Sequence, residues 1–380
     1  MYDLIIRGGT VVDPSQGLHR QADVAVSEGV VQAVEPGLRT AARRELDASG
    51  LIVTPGLVDI HVHGLPGVGH YGIDLDSACL GTGVTTAVDA GTVGRCTWPA
   101  MRRYQLDPAR MNLYAFLNIS GSGLLSDYVG EGSDLRWLDA AACAAIAKEN
   151  RDRIVGVKVR QDLARVGENG LEPLRRAVAA AELLGLPVMV HVGRLPAPMP
   201  ELAQLLRPGD IITHSFHGWS SGVLDDGGQV HPELWEAADR GIIFDVGHGA
   251  GSFSFPVMEA ALEQDFLPHT ISSDLHVYSV NGPVYDLPTT MAKFLYLGMS
   301  LEEVVRRVTV DAAKAVRLEH VAGSLAPGRR ADVTLLQEIE GRFRFDDCFG
   351  NKRLAERTLV PRWVVLEGEV LPAATAAPWR

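Results

Sequence analysis

Apolar residues follow three successive patterns along the chain. Residues 1–54 contain short runs rich in valine and isoleucine, separated by glycine and proline turns, which predicts several short strands. From Gly56 to about Ala322, short apolar runs alternate with helical stretches, the pattern that builds a parallel sheet. After Pro327 the chain returns to strand character. The two ends therefore differ in kind from the middle.

The central pattern predicts eight strands, which is the number that closes a (β/α)8 TIM barrel. Their predicted starts lie near Leu57, Val84, Met111, Ile154, Pro187, Asp210, Gly241 and Thr270. A helix follows them, because Ser300 and Glu303 form a capping box before apolar residues at helical spacing. We predict an α/β fold with a barrel over residues 55–324 and a small β-sandwich domain made from both termini, residues 1–54 plus 325–380.

The composition of the chain excludes some classes of binding partner. The 380 residues suffice for one barrel and a small domain, 46% of them are hydrophobic, and the formal charge is −12 without a Lys/Arg-rich run. Nucleic acids and anionic membranes attract clustered positive charge, so we expect neither as a partner and favour small-molecule chemistry. The start lacks a leader pattern and no run reaches the ~18 apolar residues of a membrane helix, which predicts a cytoplasmic protein and leaves homo-oligomers open. The four cysteines form no C-x-x-C pair, so neither a disulfide framework nor a thiolate zinc site is indicated.

Candidate metal ligands close several of the predicted strands. His61 and His63 lie two apart at the end of the first strand, and side chains at i and i+2 of a strand point to the same face. Further candidates each follow another strand, namely Lys158, His191, His214 and Asp274. The carboxyl ends of barrel strands meet on one face, where barrel active sites lie. The order His-x-His, Lys, His, His, Asp is that of a two-metal hydrolase.

Longer motifs resemble the amidohydrolase superfamily. Superfamily landmarks are matched by Asp3–Gly9, Pro55–Asp59, Gly83–Thr86 and Pro327–Asp332. Three further motifs resemble those of the deacetylase-like group, namely Phe244–Gly249, Ser252–Phe255 and Ser273–His276. The chain is thus similar to the dihydroorotase/hydantoinase-like branch and, within it, to the amidohydrolase/deacetylase metallohydrolases.

The resemblance implies a centre of two divalent ions, expected to be zinc, bridged by a carbamate that carbon dioxide forms on Lys158. The implied ligand groups are His61, His63 and Asp274 for the more buried ion, and His191 and His214 for the second. An unmodified lysine has no acceptor, but a dry, cation-rich pocket lowers the lysine pKa and makes it nucleophilic enough for this modification. Asp274 would be the catalytic residue, taking a proton from the metal-bridging hydroxide and passing it to the leaving group.

Several ligand assignments have structural alternatives. His61 and His63 also fit a buried, hydrogen-bonded pair, and Lys158 also fits a structural lysine at a strand end. His217 competes with His214 as a ligand, but only His214 directly follows its strand. The position therefore favours His214 and leaves His217 for substrate contact or loop packing.

The substrate prediction rests on a departure from neighbouring families. In dihydroorotase-like sites an arginine stands two positions beyond the second histidine, where this chain has Leu65. We predict hydrolysis of an acetyl-like acyl group from a small, anionic N-acyl amino acid or O-acyl hydroxy acid. Arg160, His217 and His276 are the candidates for binding the substrate carboxylate. His248 fits a substrate-facing role or a loop role equally, and His276 shares that ambiguity.

Three other functions stay open. A cyclic amidase of the dihydroorotase or hydantoinase kind would use the same ligands, so the ligand set does not separate it from a deacetylase. A purine deaminase is less favoured, because such sites use one metal and a glutamate near the third histidine, and none follows His191. A non-enzymatic barrel would be expected to lose ligands, whereas this chain keeps the whole set.

Overall fold

The computed structural model describes residues 1–378. Its strands are β1 (Tyr2–Asp13), β2 (Leu18–Ser27), β3 (Val30–Glu35), β4 (Ala42–Asp47), β5 (Ile52–Pro55), β6 (Leu57–Val62), β7 (Val84–Gly94), β8 (Asn112–Asn118), β9 (Ile154–Gln161), β10 (Val188–Val192), β11 (Ile211–Thr213), β12 (Ile243–Asp245), β13 (Val333–Asp346), β14 (Lys352–Leu366) and β15 (Glu369–Pro372). Its α-helices are α1 (Leu75–Ala78), α2 (Trp98–Met101), α3 (Ala140–Glu149), α4 (Leu163–Val166), α5 (Glu172–Leu184), α6 (Met199–Gln204), α7 (Pro232–Asp239), α8 (Phe255–Glu263), α9 (Leu287–Tyr296), α10 (Leu301–Arg307) and α11 (Val310–Ala315). None of these helices is both long and apolar enough to cross a membrane.

The larger lobe is a TIM-like barrel. Strands β6 to β12 form one curled parallel sheet with neighbours in chain order. The eighth predicted strand is present as a segment, residues 270–275, that has single bridges instead of a regular ladder. Thr270 bridges Asp245 of β12, and Leu275 bridges Val62 of β6, both in parallel orientation. This segment therefore joins the last strand to the first, and the predicted α/β barrel fold is confirmed.

The barrel strands are covered on both faces. Every residue of β6, β7 and β9 is buried. Helices such as α3 and α5 pack outside the strands and bury their apolar stripes, for example Leu174, Ala177 and Ala181 of α5. Continuous burial is typical of parallel strands that lie between a filled barrel interior and an outer layer of helices.

The smaller lobe is built from both chain ends. Its sheet has the order β15-β14-β13-β5-β1-β2-β3, with β4 pairing β1. Most neighbours are antiparallel, but β4 and β5 run parallel to β1. A separate apolar cluster lies within this lobe, including Leu4, Val24, Val53, Leu335 and Val365. The predicted small β domain from the two termini is thus present, while its exact boundaries stay a prediction.

The β13–β14 hairpin is long enough to serve both lobes. Near the barrel its side chains Phe343, Phe345 and Leu359 belong to the apolar cluster of the barrel rather than to that of the small lobe. At its turn Asp347 accepts a hydrogen bond from the backbone N–H of Phe255, the first residue of α8. The hairpin consequently fixes the start of a barrel helix.

Candidate metal centre

His61 of β6 and His63, which follows its last residue, meet the aspartate of the eighth segment. His61 and His63 are buried, and their Nε2 atoms lie 3.4 and 3.2 Å from Oδ1 of Asp274. One ligand atom of each residue falls within 4.8 Å of the others, which makes this trio a compact potential metal site. The alternation of the strand places both rings on its inner face, as the sequence predicted.

A threonine and an aspartate orient the ring of His61. Its Nδ1 lies 2.8 Å from Oγ1 of Thr213, and that hydroxyl donates to Oδ2 of Asp245 at 2.7 Å. Asp245 also accepts from the hydroxyls of Thr270 and Ser272, so the aspartate acts only as an acceptor. Since the hydroxyl hydrogen of Thr213 points to Asp245, Nδ1 of His61 must donate. The Nε2 atom is then left with a free lone pair that faces the site.

His63 is oriented in the same way, by a threonine and an aspartate. At His214 a backbone carbonyl takes the place of the threonine hydroxyl. Nδ1 of His63 lies 2.8 Å from Oγ1 of Thr92, which donates to Oδ2 of Asp89 at 2.7 Å. Nδ1 of His214 lies 2.5 Å from the carbonyl oxygen of Gly247, which accepts only. All three imidazoles therefore carry their proton on Nδ1 and leave Nε2 unprotonated.

The remaining predicted ligands lie beside this trio. The Nζ atom of Lys158 is 3.3 Å from Nε2 of His61. The ring of His214 lies 4.8 Å from that of His61 and 4.3 Å from that of His191, centroid to centroid. Burial lowers the pKa of Lys158 to about 7, so a neutral amine is accessible near neutrality. The structure thus brings all six sequence-predicted ligands together.

The donor set fits divalent cations. Nε2 of His214 and Oδ1 of Asp274 are buried and have no hydrogen-bond partner among the described residues. Burial lowers the pKa of His63 to about 3 and raises that of Asp274 to about 6. Lone pairs that converge in a dry site repel one another unless a cation lies between them. Neutral imidazole and carboxylate are the ligands that zinc and similar ions take.

Strained backbone accompanies two of the ligands. His214 and Asp274 have φ values of 69° and 48°, in the left-handed region that side chains other than glycine rarely adopt. Two glycines pack directly against them. A Cβ at Gly247 would lie 2.7 Å from Nδ1 of His214, and a Cβ at Gly249 would lie 2.3 Å from Oδ2 of Asp274. The segment after β12 therefore needs glycine to approach the site this closely.

A cavity of about 440 Å³ opens above the ligands. It is lined by four of the proposed ligands, His63, Lys158, His191 and Asp274. Tyr71, Arg194, Trp219 and Tyr278 are among its other lining residues. Cavities of this size accept small organic molecules. The arrangement is suited to polar chemistry on a small substrate.

Arg160 lines this cavity but is already engaged. Its Nε and Nη2 atoms donate to both carboxylate oxygens of Glu131 at 2.5 and 2.9 Å, and the pair is buried. Its Nη1 donates to the hydroxyl of Tyr71 at 3.2 Å. The bidentate edge expected to bind a substrate carboxylate is thus occupied by the chain itself, which leaves Nη1 for any substrate contact.

The two histidines predicted to contact substrate differ in position. His276 lines the cavity, with Nε2 3.8 Å from Oδ2 of Asp274. His217 is not among the lining residues; it is buried, and its Nδ1 accepts from the backbone N–H of Trp219. The structure therefore brings His276 to the site but not His217, because the loop turns that ring inward. His248 likewise bonds inward, to Nζ of Lys293 at 2.7 Å.

Sequence reasoning missed the residues that support the ligands. They are Thr92 and Asp89 behind His63, Thr213 and Asp245 behind His61, and Glu131 behind Arg160. Asp245 lies in the Phe244–Gly249 motif, so that motif offered a signal for one of them. Thr92 and Glu131 had none, because each meets its partner 29 residues away through the fold.

Comparison with known proteins identifies the family. A model described as "Amidohydrolase family" matches residues 254–355. A deacetylase of Agrobacterium fabrum is 37% identical over 362 residues, which cover 92% of this chain and 86% of that protein. The chain belongs to the amidohydrolase family. This amidohydrolase is therefore a metal-dependent hydrolase that acts on carbon–nitrogen bonds other than peptide bonds.

Solved structures show how widely substrates vary on this fold. A crystal structure described as a dihydroorotase matches this amidohydrolase with a TM-score of 0.91 and 34% identity, covering 100% of both chains. One described as an adenine deaminase matches with a TM-score of 0.91 and 31% identity, covering 98% of this chain and 100% of the other. Three similar proteins thus carry three different activities in their names. The substrate must be argued from the site.

Proposed function

We propose that this amidohydrolase removes an acetyl-like acyl group from a small N-acyl amino acid or O-acyl hydroxy acid. The observation that carries the proposal is the convergence of the unprotonated imidazole nitrogens, Asp274 and Lys158 beside a cavity sized for a small molecule. The deacetylase that aligns with 92% of the chain supports the acyl substrate. Leu65 supports it against a dihydroorotase, because the leucine side chain is 3% exposed and packs in the core.

The centre that we propose contains two divalent ions, and the imidazole and carboxylate donors favour zinc. The proposed ligands are His61, His63, Lys158, His191, His214 and Asp274. When bound, such ions polarise the scissile carbonyl and supply a hydroxide near neutral pH. The ligand side chains need little rearrangement, since their Nδ1 atoms are already bonded to Thr213, Thr92 and Gly247.

Lys158 is proposed to carry a carbamate. Its neutral amine attacks carbon dioxide, a bond forms between Nζ and carbon, and one amine proton leaves to solvent, so the product is an anionic carboxylate. Burial favours this reaction because it lowers the pKa of Lys158 to about 7 and so keeps much of the amine neutral. Only the modified side chain has oxygen acceptors, whereas a lysine ammonium has none.

Asp274 is proposed to move the proton. Oδ1 has no hydrogen-bond partner among the described residues and is therefore available as an acceptor. Burial raises the pKa of Asp274 above that of an ordinary carboxyl group, which favours uptake of a proton by this side chain. Asp274 would thus accept the proton of the attacking water and deliver it to the departing nitrogen or oxygen.

The metal centre is tested by elemental analysis of protein purified with bicarbonate and zinc. We expect two ions per chain in the wild type and one or none in Lys158→Ala. Lys148→Ala, in the last turn of α3 and not among the cavity-lining residues, is the matched control and should keep two ions. One ion in both the wild type and Lys158→Ala would rule out the lysine bridge and favour a mononuclear deaminase.

The substrate is tested with a panel on the metal-loaded enzyme. N-acetyl amino acids and O-acetyl hydroxy acids should release acetate, while dihydroorotate, hydantoins and adenine should remain intact. Turnover confined to the ring amides would contradict deacylation and support the cyclic amidase. Ammonia release from adenine alone would support the deaminase.

A further inference from the structure

Of the arginines that line the cavity, some are paired with a carboxylate and one is not. Three arginines line it, Arg160, Arg165 and Arg194. Arg160 is paired with Glu131, and Arg165 donates to the carboxylate of Asp127 at 2.6 Å. Within residues 1–378 the guanidinium of Arg194 has neither an ion pair nor a hydrogen bond. It is thus the arginine of the cavity wall whose charge is available to a ligand.

Contacts with Trp219 and Asp162 hold the side chain and backbone of Arg194 at the edge of the cavity. Its guanidinium carbon lies 4.9 Å from the ring centroid of Trp219, which also lines the cavity. Trp219 in turn packs edge-on against Phe349, with 5.2 Å between centroids. The backbone N–H of Arg194 donates to Oδ2 of Asp162 at 3.0 Å. A guanidinium stacked on an indole keeps its N–H edge free for a planar anion and loses less freedom on binding it.

Chain continuity links this cation to the metal centre. Arg194 follows His191 by three residues, just beyond the end of β10. Gly193 lies between them, and a Cβ there would be 3.7 Å from Nε2 of His191. A small molecule whose acyl carbonyl meets the ligands can therefore extend a second group toward Arg194. The free, planar donor edge of an arginine favours a carboxylate as that group.

We infer that Arg194, stacked on Trp219, is the subsite that binds the carboxylate of the acylated acid, in place of the engaged Arg160. The inference rests on the proposed function and deepens it, because it makes a free carboxylate near the acyl group a requirement of the substrate. Tyr71 and Tyr278 also line the cavity, so an apolar substituent on the same carbon has aromatic surface to contact. The substrate class is then an N-acyl or O-acyl derivative of an apolar amino or hydroxy acid.

The first test compares an acid with its neutral amide. N-acetylphenylalanine and its carboxamide are given to the metal-loaded wild type, Arg194→Met, Arg194→Lys and the control Arg175→Met, which removes an exposed arginine of α5 outside the cavity. Loss of a charge-assisted hydrogen-bond pair predicts a KM for the acid that rises about 10- to 100-fold in Arg194→Met, with kcat changed less than about threefold. Arg194→Lys should recover part of this loss. The KM for the carboxamide should stay unchanged in every variant.

The second test needs no turnover. N-methanesulfonylphenylalanine and its carboxamide, which have no acyl carbonyl at nitrogen, are titrated into the same metal-loaded proteins by calorimetry. Wild type and Arg175→Met should bind the acid at least about 10-fold more tightly than the carboxamide, and Arg194→Met should bind both alike. An unchanged preference in Arg194→Met, or no preference in the wild type, overturns the subsite.

The two tests separate the two ideas. Suppose that the wild type hydrolyses no acetylated acid but binds the sulfonylated acid more tightly than its carboxamide, and that Arg194→Met binds the two alike. The proposed function then fails and the subsite stands. If acetylated acids are hydrolysed equally well by Arg194→Met and Arg175→Met, the function stands and the subsite is wrong.

Discussion

At the scale of single residues, the site depends on which nitrogen of each imidazole carries the proton. Thr213 and Thr92 act as intermediates, since each donates to a buried aspartate and accepts from a histidine. Because its hydroxyl hydrogen is donated to the aspartate, each threonine oxygen can only accept from Nδ1 of the histidine. The negative charge of the aspartate is thereby kept out of contact with the imidazole ring. The aspartates thereby select the tautomer while remaining one side chain away from the ligands.

Thr213→Val should weaken metal binding about 10- to 100-fold, because the isosteric valine leaves Nδ1 of His61 without an acceptor. Metal affinity is measured by competition with a chelator. Thr358→Val is the matched control, since Thr358 is equally buried but its hydroxyl has no hydrogen-bond partner among the described residues. Equal affinities in the two variants would show that the threonine does not orient the ligand.

Gly249→Ala should abolish metal binding or lower kcat/KM at least about 10-fold, because the new methyl group would meet Oδ2 of Asp274 at 2.3 Å. Gly37→Ala is the control, with φ of 66° against 55° but no atom within 4 Å of its Cβ. Both variants should lose about 1–2 kcal/mol of stability from the left-handed backbone. Thermal unfolding measures that shared loss, and only Gly249→Ala should also lose metal binding or activity. A fully active Gly249→Ala would contradict the close packing.

The residue scale also shows what spacing can predict. His61 and His63 were predictable because two positions along a strand share a face, and Asp274 because it closes a strand-like run. Thr213 was not, since it meets His61 across 152 residues. Arg194 follows the predicted ligand His191 closely, but its free charge becomes apparent only when the partners of the other arginines are known.

At the scale of elements, α9 carries a buried lysine that joins three segments. Nζ of Lys293 is bonded to Nε2 of His248 at 2.7 Å, and to the carbonyl oxygens of Pro283 and Asp346 at 2.9 and 2.8 Å. The lysine is fully buried, and Asp286 caps the helix that carries it. Lys293 therefore fixes the end of strand β13 against residues 247–249, the glycine segment, which packs beside Asp274.

The charge of Lys293 should appear in the pH dependence of stability. Burial lowers its pKa to about 7, below the ordinary lysine value of the unfolded chain. Between those two values the unfolded state binds a proton that the folded state lacks, so the wild type should gain stability as pH rises above 7, by about 1.4 kcal/mol per pH unit. Below pH 7 this contribution should be constant. Unfolding free energies of the wild type and Lys293→Met are compared from pH 6 to 9.

Lys148→Met serves as the control for a solvated lysine and should follow the wild type at every pH. If the difference between the wild type and Lys293→Met were the same at pH 6 and pH 9, the buried lysine would have no depressed pKa.

Strand positions were predictable, whereas strand regularity was not. The strands of the barrel begin within two residues of their predicted starts, for example β11 at Ile211 against Asp210 and β12 at Ile243 against Gly241. Apolar runs between turns carry that information. The eighth segment departs from a ladder because its residues also bond the glycine segment, with His248 and Gly249 donating to Ser272 and Ser273. Such competition for backbone groups depends on tertiary contacts.

At the scale of the whole molecule, the barrel closes at a seam that the site itself spans. Residues 270–275 bridge β12 at one end and β6 at the other. The proposed ligands His61 and His63 lie on one side of this seam, and Asp274 lies on the other. An ion bound between them would connect the two sides, so metal binding and closure of the barrel should be thermodynamically linked.

Removal of the metal should therefore loosen the seam. We expect the backbone amides of residues 270–276 to exchange with deuterium faster after chelation, while those of β9, on the opposite part of the sheet, change little. Hydrogen-exchange mass spectrometry of the loaded and chelated protein measures this difference. Equal exchange at the seam in both states would show that closure does not depend on the ion.

The overall division into a barrel and a terminal β lobe was predictable from the change of pattern near residues 54 and 325. What pattern alone did not reveal is that the hairpin belongs to both. Its strands β13 and β14 have the alternation of a surface hairpin, and only the packing shows Phe343 and Phe345 within the barrel cluster.

That shared hairpin bears on how the protein can be cut or fused. Ending the chain before β13 would strip the barrel of aromatic side chains that complete its core and of Asp347, which holds the start of α8. The segment that would be lost also supplies one of the three partners of Lys293, directly behind the glycines that support Asp274. A tail that looks dispensable in a linear diagram thus completes the barrel core and supports the segment behind Asp274, and a reporter or tag is safer beyond β15 than within the hairpin.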